Sequence, residues 1–186
     1  PGDEVITQAN TFHATVSAIC IAGATPVLVD AVDDSFLMNV DALESAITAK
    51  TRVILPTHLF GKTTPMQPIL TLAAKHDLHV IEDACQAHGA EIDGQSAGTF
   101  GVFGCFSFHP SKNLAAAGDG GAVVTSDPDL DAEIRCRRSL GQSGQNHHVS
   151  VGLNSKLDAI QARILSWKLP RLETWNEQRR QVARWY

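Results

Sequence analysis

Two residues in this sequence have the types and setting for amine and acid chemistry. Lys112 follows Ser107-Phe108-His109-Pro110-Ser111, just past an apolar run, and precedes the small-residue stretch Ala115-Ala116-Ala117-Gly118-Asp119-Gly120-Gly121. A lysine there is either a solvated loop residue or a functional amine. Asp83 closes the apolar run Val80-Ile81-Glu82 and opens Ala84-Cys85-Gln86-Ala87-His88-Gly89-Ala90. A half-buried carboxylate at a strand end is costly unless paired, so it serves as a helix cap, a hydrogen-bonded core acid or a partner for a cationic ring nitrogen. An amine able to form a Schiff base and an acid able to keep a pyridinium protonated are the two groups that pyridoxal phosphate requires. An Asp followed some thirty residues later by a Lys is a weak pattern alone.

The elements that must position these groups are legible as alternating runs. Strands are predicted at 4–7, 26–30, 52–56, 79–83, 104–108 and 121–125. Helices are predicted at 13–23, with Gly23 near the C-cap, and at 41–49, with Asp41 as N-cap. Further helices are predicted at 65–76, 128–138, 156–167 and from 170 onward. Apolar strands without polar alternation, separated by helices, indicate a mostly parallel sheet covered on both faces, an α/β/α sandwich. In such sheets ligands bind beyond the carboxyl ends of the strands. That rule nominates 10–13, 58–61, 83–88 and 109–112, the most chemically loaded segments of the chain.

Bulk properties narrow the function class. The 186 residues are 44% hydrophobic and 19% charged, with a formal net charge of −5, which suits one globular domain and argues against a nucleic-acid surface. Arg171, Arg179, Arg180 and Arg184 read as a solvated helix face. Cys20, Cys85, Cys105 and Cys136 lie far apart without metal-site spacing, and are expected to pack as small hydrophobes rather than pair. No metal is expected. Absence of a signal-like or membrane-length apolar run gives a cytoplasmic expectation. The chain starts without methionine and ends in an apparent helix, so it reads as a fragment.

The words around the two residues resemble the DegT-type nucleotide-sugar aminotransferases, which share the aspartate-aminotransferase (type I) fold. The matching words are Pro1-Gly2-Asp3-Glu4-Val5-Ile6, Thr11-Phe12-His13-Ala14-Thr15, His58-Leu59-Phe60-Gly61, the Glu82 to Ala90 segment, the Ser107 to Leu114 segment, Gly118-Asp119-Gly120-Gly121-Ala122 and Gly152-Leu153-Asn154-Ser155-Lys156-Leu157-Asp158. They keep that family's order and spacing across the whole chain.

The resemblance implies that residues 1–186 form the large domain that binds pyridoxal 5'-phosphate. It implies that the family's N-terminal phosphate-binding segment and C-terminal small domain lie outside them. Lys112 would be the Schiff-base lysine, Asp83 the pyridinium partner, Gln86 a contact to the cofactor's phenolic oxygen, and Ser107 a phosphate ligand. Phe12 would stack on the cofactor ring, its alternative being core packing. Asn154 would reach the phosphate of a partner subunit, which implies a homodimer. The implied reaction is transamination of a nucleotide-linked keto sugar, with L-glutamate as amino donor. Alternatives are a sugar dehydratase-like relative, in which histidine replaces the lysine, and a non-catalytic degenerate relative. His88 is expected either to orient Asp83 or only to fill a polar pocket. His109, His147 and His148 are expected near the mouth of the site, the adjacent pair as a solvated loop or a substrate contact.

Overall fold

The computed structural model describes Pro1–Tyr186. Its centre is a six-stranded sheet built from β1 (Glu4–Gln8), β2 (Thr25–Val29), β3 (Thr51–Leu55), β4 (His79–Asp83), β7 (Phe103–Ser107) and β8 (Gly121–Val124). The spatial order is β2-β1-β3-β4-β7-β8. All neighbours are parallel except β7 and β8, which pair antiparallel. Two short antiparallel pairs lie outside the sheet: β5 (Glu91–Ile92) with β6 (Gln95–Ser96), and β9 (Gln142–Gly144) with β10 (His147–His148). The helices are α1 (His13–Ile21), α2 (Leu43–Ala46), α3 (Met66–Lys75), α4 (Pro128–Arg138), α5 (Ala159–Lys168) and α6 (Leu172–Ala183). The predicted three-layer α/β/α class is the observed one.

Burial of α3 shows how the sequence drives this packing. Met66, Ile69 and Ala73 recur at helical spacing and are buried, against Ile6, Ile54 and Val80 from three adjacent strands. Removing a side chain such as Ile69 from water contributes about 1.5–3 kcal/mol. Ile69→Ala would cost about 2–5 kcal/mol, because the surrounding sheet cannot collapse into the hole. A second small cluster of Leu114, Ala116 and Leu165 ties the segment after β7 to α5. That contact fixes the loop carrying Lys112.

Four expectations need correction. Asp41 does not cap a helix over 41–49. Asn39 Oδ1 accepts from Asp41 N at 3.1 Å, a 3-10 turn spans Val40–Ala42, and α2 stops at Ala46. The hydroxyls of Thr48 and Thr51 bind local backbone amides there and offer an alternative to further helix. The helix predicted at 156–167 starts at Ala159, because Asp158 is still extended. His147 and His148 form a strand opposite residues 142–144 rather than a loop, turning through Asn146 at φ 59°. Cys20 is exposed rather than packed, and no cysteine is in a disulfide.

Elsewhere local chemistry and element agree. Asp127 Oδ1 accepts from Asp129 N at 2.8 Å and from Leu130 N at 3.2 Å, capping α4, whose first residue is Pro128. No helix is long and apolar enough to cross a membrane.

Candidate active site

Past the carboxyl ends of β1, β3, β4 and β7 lies a cavity of about 710 Å³, within the usual range for small-molecule and cofactor sites. Phe12, Asp83, Gln86, Ser107 and Lys112 all line it. Asp83 ends β4 and Ser107 ends β7, two parallel neighbours in which Asp83 sits opposite Cys105. The sheet therefore delivers the acid and the loop holding the amine to one place. Of Lys50, Lys62, Lys75, Lys112, Lys156 and Lys168, Lys112 alone reaches this cavity. Phe12 is largely exposed, so it walls the cavity rather than filling the core.

Asp83 is held on all sides. Its backbone N–H donates to Pro56 O at 2.9 Å, and its carbonyl accepts from His58 N at 3.0 Å. Its Oδ1 accepts from Cys85 N at 3.1 Å, and its Oδ2 accepts from Thr15 Oγ1 at 2.6 Å. Thr15, on the first turn of α1, is the orienting side chain; His88 is not. His88 is buried between Phe106 and Phe108, with ring centroids 5.5 and 6.1 Å away. Both of its ring nitrogens lack a hydrogen bond. Burial lowers its pKa, the nearby Ser107 backbone opposes this, and the charge of Lys112 adds to the lowering. The ring is consequently neutral at neutral pH.

Gln86 is preset by its neighbour. Its Oε1 accepts from Phe60 N at 2.8 Å, and Phe60 sits at φ 58°, in the left-handed region that a bulky residue rarely occupies. With the amide oxygen engaged, the amide nitrogen is the end left to donate to a ligand. Ser107 Oγ accepts from His109 N at 3.3 Å, and His109 Nδ1 contacts Ser111 Oγ at 2.9 Å. His109 also lines the cavity, as expected, whereas His147 and His148 do not. The loop after Lys112 is clamped from α5: Ala117 N donates to Gln161 Oε1 at 2.8 Å, and Lys168 Nζ donates to Ala115 O at 2.7 Å. Asn154 lies outside the cavity, exposed and bridged to Ser139.

Behind Asp83 sits a fully buried ion-pair-like contact. Glu82 Oε2 meets His58 Nε2 at 2.9 Å and accepts from Gly98 N at 2.7 Å, while Oε1 accepts from Phe100 N and Gly101 N, both at 2.7 Å. His58 Nδ1 accepts from Thr64 N at 3.0 Å, which assigns the ring proton to Nε2. Burial pushes the Glu82 carboxyl up, but donors from His58, Gly101 and Gly98 outweigh it and hold the pKa below the ordinary range. The cluster locks the 58–61 loop and the 98–101 turn to the end of β4.

Sequence reasoning missed several cavity residues, among them Thr15, Cys105 and Asp119, while Cys85 lay in the nominated 83–88 segment with no role assigned. Thr15 had a signal: it lies in the first turn of the helix predicted from 13, which begins at the end of the nominated 10–13 segment. Cys105 had none, since its approach to the cavity depends on the β4–β7 pairing.

The donor set fits the cofactor that the sequence suggests. A carboxylate, an amine, a hydroxyl, an amide and an aromatic ring converge on one cavity. They match the needs of a cationic ring, an aldehyde, a phosphate, a phenolic oxygen and a flat π face.

Comparison with known proteins shows the family and the fold. The profile of the DegT/DnrJ/EryC1/StrS aminotransferase family matches residues 1–186. A UDP-N-acetyl-3-dehydro-alpha-D-glucosamine 3-aminotransferase of Acidithiobacillus ferrooxidans is 50% identical over 186 residues, covering 100% of this chain and 50% of the relative. The crystal structure of DesV from S. venezuelae, in complex with a ketimine intermediate, superposes with a TM-score of 0.95 at 43% identity, covering 98% of this chain and 49% of that one. NtdA from Bacillus subtilis, solved with bound PMP, gives a TM-score of 0.83 at 39% identity over 89% of this chain and 38% of that one. The chain spans about half the length of the curated relatives it matches.

Proposed function

The chain belongs to the DegT/DnrJ/EryC1/StrS aminotransferase family, and from that premise we propose that it carries the amine and acid of an enzyme that aminates a nucleotide-linked keto sugar. The observation that carries this reading is the shared cavity of Asp83 and Lys112 at the ends of adjacent strands. The Acidithiobacillus relative is named for a UDP-linked 3-keto sugar, and the same substrate class is proposed here. L-glutamate is the proposed amino donor.

Pyridoxal 5'-phosphate is the proposed cofactor; when bound it supplies an electron sink for the carbon that loses a proton. Asp83, fixed by Thr15 and Cys85 N, would hold the ring nitrogen in its protonated form. Lys112 Nζ would anchor the cofactor covalently and, once released, take a proton from the donor carbon and return one during the half-reaction with the sugar. Ser107 Oγ would donate to the phosphate, Gln86 Nε2 to the phenolic oxygen, and Phe12 would cover one ring face. Asn154 would serve the phosphate of a second copy, making the working unit a homodimer in the cytoplasm.

The test is direct. The full-length protein, supplied with pyridoxal 5'-phosphate, L-glutamate and a UDP-linked 3-keto sugar, should release 2-oxoglutarate in step with an amino sugar. Cofactor uptake without 2-oxoglutarate in the presence of both substrates would overturn the assignment.

A further inference from the structure

Three threonine hydroxyls from two segments, the 11–15 stretch after β1 and Thr57 after β3, run in line to the Asp83 carboxylate. Thr15 Oγ1 donates to Asp83 Oδ2 at 2.6 Å. Thr11 Oγ1 lies 2.9 Å from Thr15 Oγ1 and 3.0 Å from Thr57 Oγ1. A hydroxyl has one proton, so the first bond sets the rest. Thr15 has given its proton to Asp83 and can only accept from Thr11; Thr11 must then accept from Thr57.

The far end of this chain is anchored to Asp83 as well. Thr57 N donates to Gln8 Oε1 at 3.2 Å and Thr57 O accepts from Thr64 Oγ1 at 3.0 Å. Thr57 also forms an isolated parallel bridge with Asp83. Backbone pairing and hydroxyl chain therefore close a ring around the acid, joining α1, the end of β3 and the end of β4. Thr15 and Thr57 are buried, where hydrogen bonds are stronger and an unmade one costs more.

We infer that Thr57, Thr11 and Thr15 form a one-way hydroxyl relay that positions the Asp83 carboxylate, with Thr15 as the positioning residue. The inference rests on the proposed role of Asp83 toward the cofactor. Its physical content is that both carboxylate oxygens stay acceptors, one toward Cys85 N and one toward Thr15, so the acid cannot rotate away from the cavity. Valine matches threonine in shape but cannot donate; serine donates but lacks the β-branch that stiffens χ1.

The experiment measures equilibrium binding of pyridoxal 5'-phosphate to the full-length protein, together with the pH dependence of the bound cofactor's visible absorbance. Thr15→Val should weaken binding about tenfold, the loss of one hydrogen bond to a charged group, and shift the pH midpoint of the absorbance change. Thr15→Ser should restore both to within about threefold, less than one such bond. Thr11→Val should weaken binding less than Thr15→Val does. The double variant should bind no worse than Thr15→Val alone, because a relay cut at its last member has nothing more to lose. Wild-type binding and an unshifted pH midpoint in Thr15→Val would overturn the inference, as would a fully additive double variant or failure of Thr15→Ser to rescue. A wild-type protein that takes up no cofactor would instead overturn the functional reading beneath it. Should Thr15→Val fail to fold, Thr11→Val with normal thermal melting and unaltered binding and pH midpoint would count against the relay.

Discussion

His58 and Glu82 face each other with no solvent exposure, Nε2 to Oε2 at 2.9 Å, directly behind the acid of the site. The pair joins a loop after β3 to the penultimate residue of β4, so the segment presenting Asp83 cannot shift without breaking it. Truncating one partner of such a buried contact leaves the other stranded, at a cost of about 3–5 kcal/mol. His58→Ala is expected to lose about that much in urea unfolding. An unchanged midpoint would show the contact to be dispensable.

The same pair sets a pH dependence. The folded Glu82 pKa lies below its ordinary 4.5, so its stabilisation is complete above that value and drains away as pH falls through the folded pKa. Thermal melting from pH 7 to pH 3 should show wild type losing stability in this acid window. Glu82→Gln should start less stable at pH 7 and fall less steeply. An equally steep fall in the variant would place the acid sensitivity elsewhere.

The cleft thiols should be inert despite their position. Burial first, then the Asp83 charge, pushes the Cys85 thiol far up, and burial with Asp83 and Glu82 raises Cys105 to about 11. Since the thiolate is the nucleophile, iodoacetamide at pH 7.5 should modify exposed Cys20 well before either cleft cysteine. Peptide mapping reads the order, and rapid labelling of Cys105 would contradict it.

Gly104 meets the 98–101 turn so closely that a Cβ there would lie 2.0 Å from Gly98 O. Backbone cannot yield as a flexible side chain can. Gly104→Ala is expected to cost more than about 3 kcal/mol, above ordinary overpacking, and to loosen the Gly98 donor to Glu82. Denaturant unfolding checks this; a loss under about 1 kcal/mol would mean that the turn moves freely.

The sheet strands were readable because each is a short apolar run bounded by helices or turns, and β4 was read to its observed ends, His79–Asp83. Lys112 and Asp83 were readable because the rule for parallel sheets places strand ends at the site. What escaped depends on pairing that no linear pattern encodes. Thr15 reaches Asp83 across 68 positions, and two-residue strands such as β5 and β10 are too short to carry a period. Of the two roles expected of His88, orienting Asp83 or filling a pocket, the first is not seen, since its ring nitrogens make no hydrogen bond. The turn after β4 instead sends its ring between Phe106 and Phe108.

Lys112 is the one lysine in the cavity and the group on which the proposed chemistry depends. The most direct measurement is to load the full-length protein with pyridoxal 5'-phosphate, reduce with borohydride, digest it and locate the added mass. The predicted result is a single modified peptide carrying the cofactor on Lys112, absent in Lys112→Ala and Lys112→Arg, with both variants devoid of transamination. Cofactor found on another lysine, or transamination persisting in either variant, would contradict it.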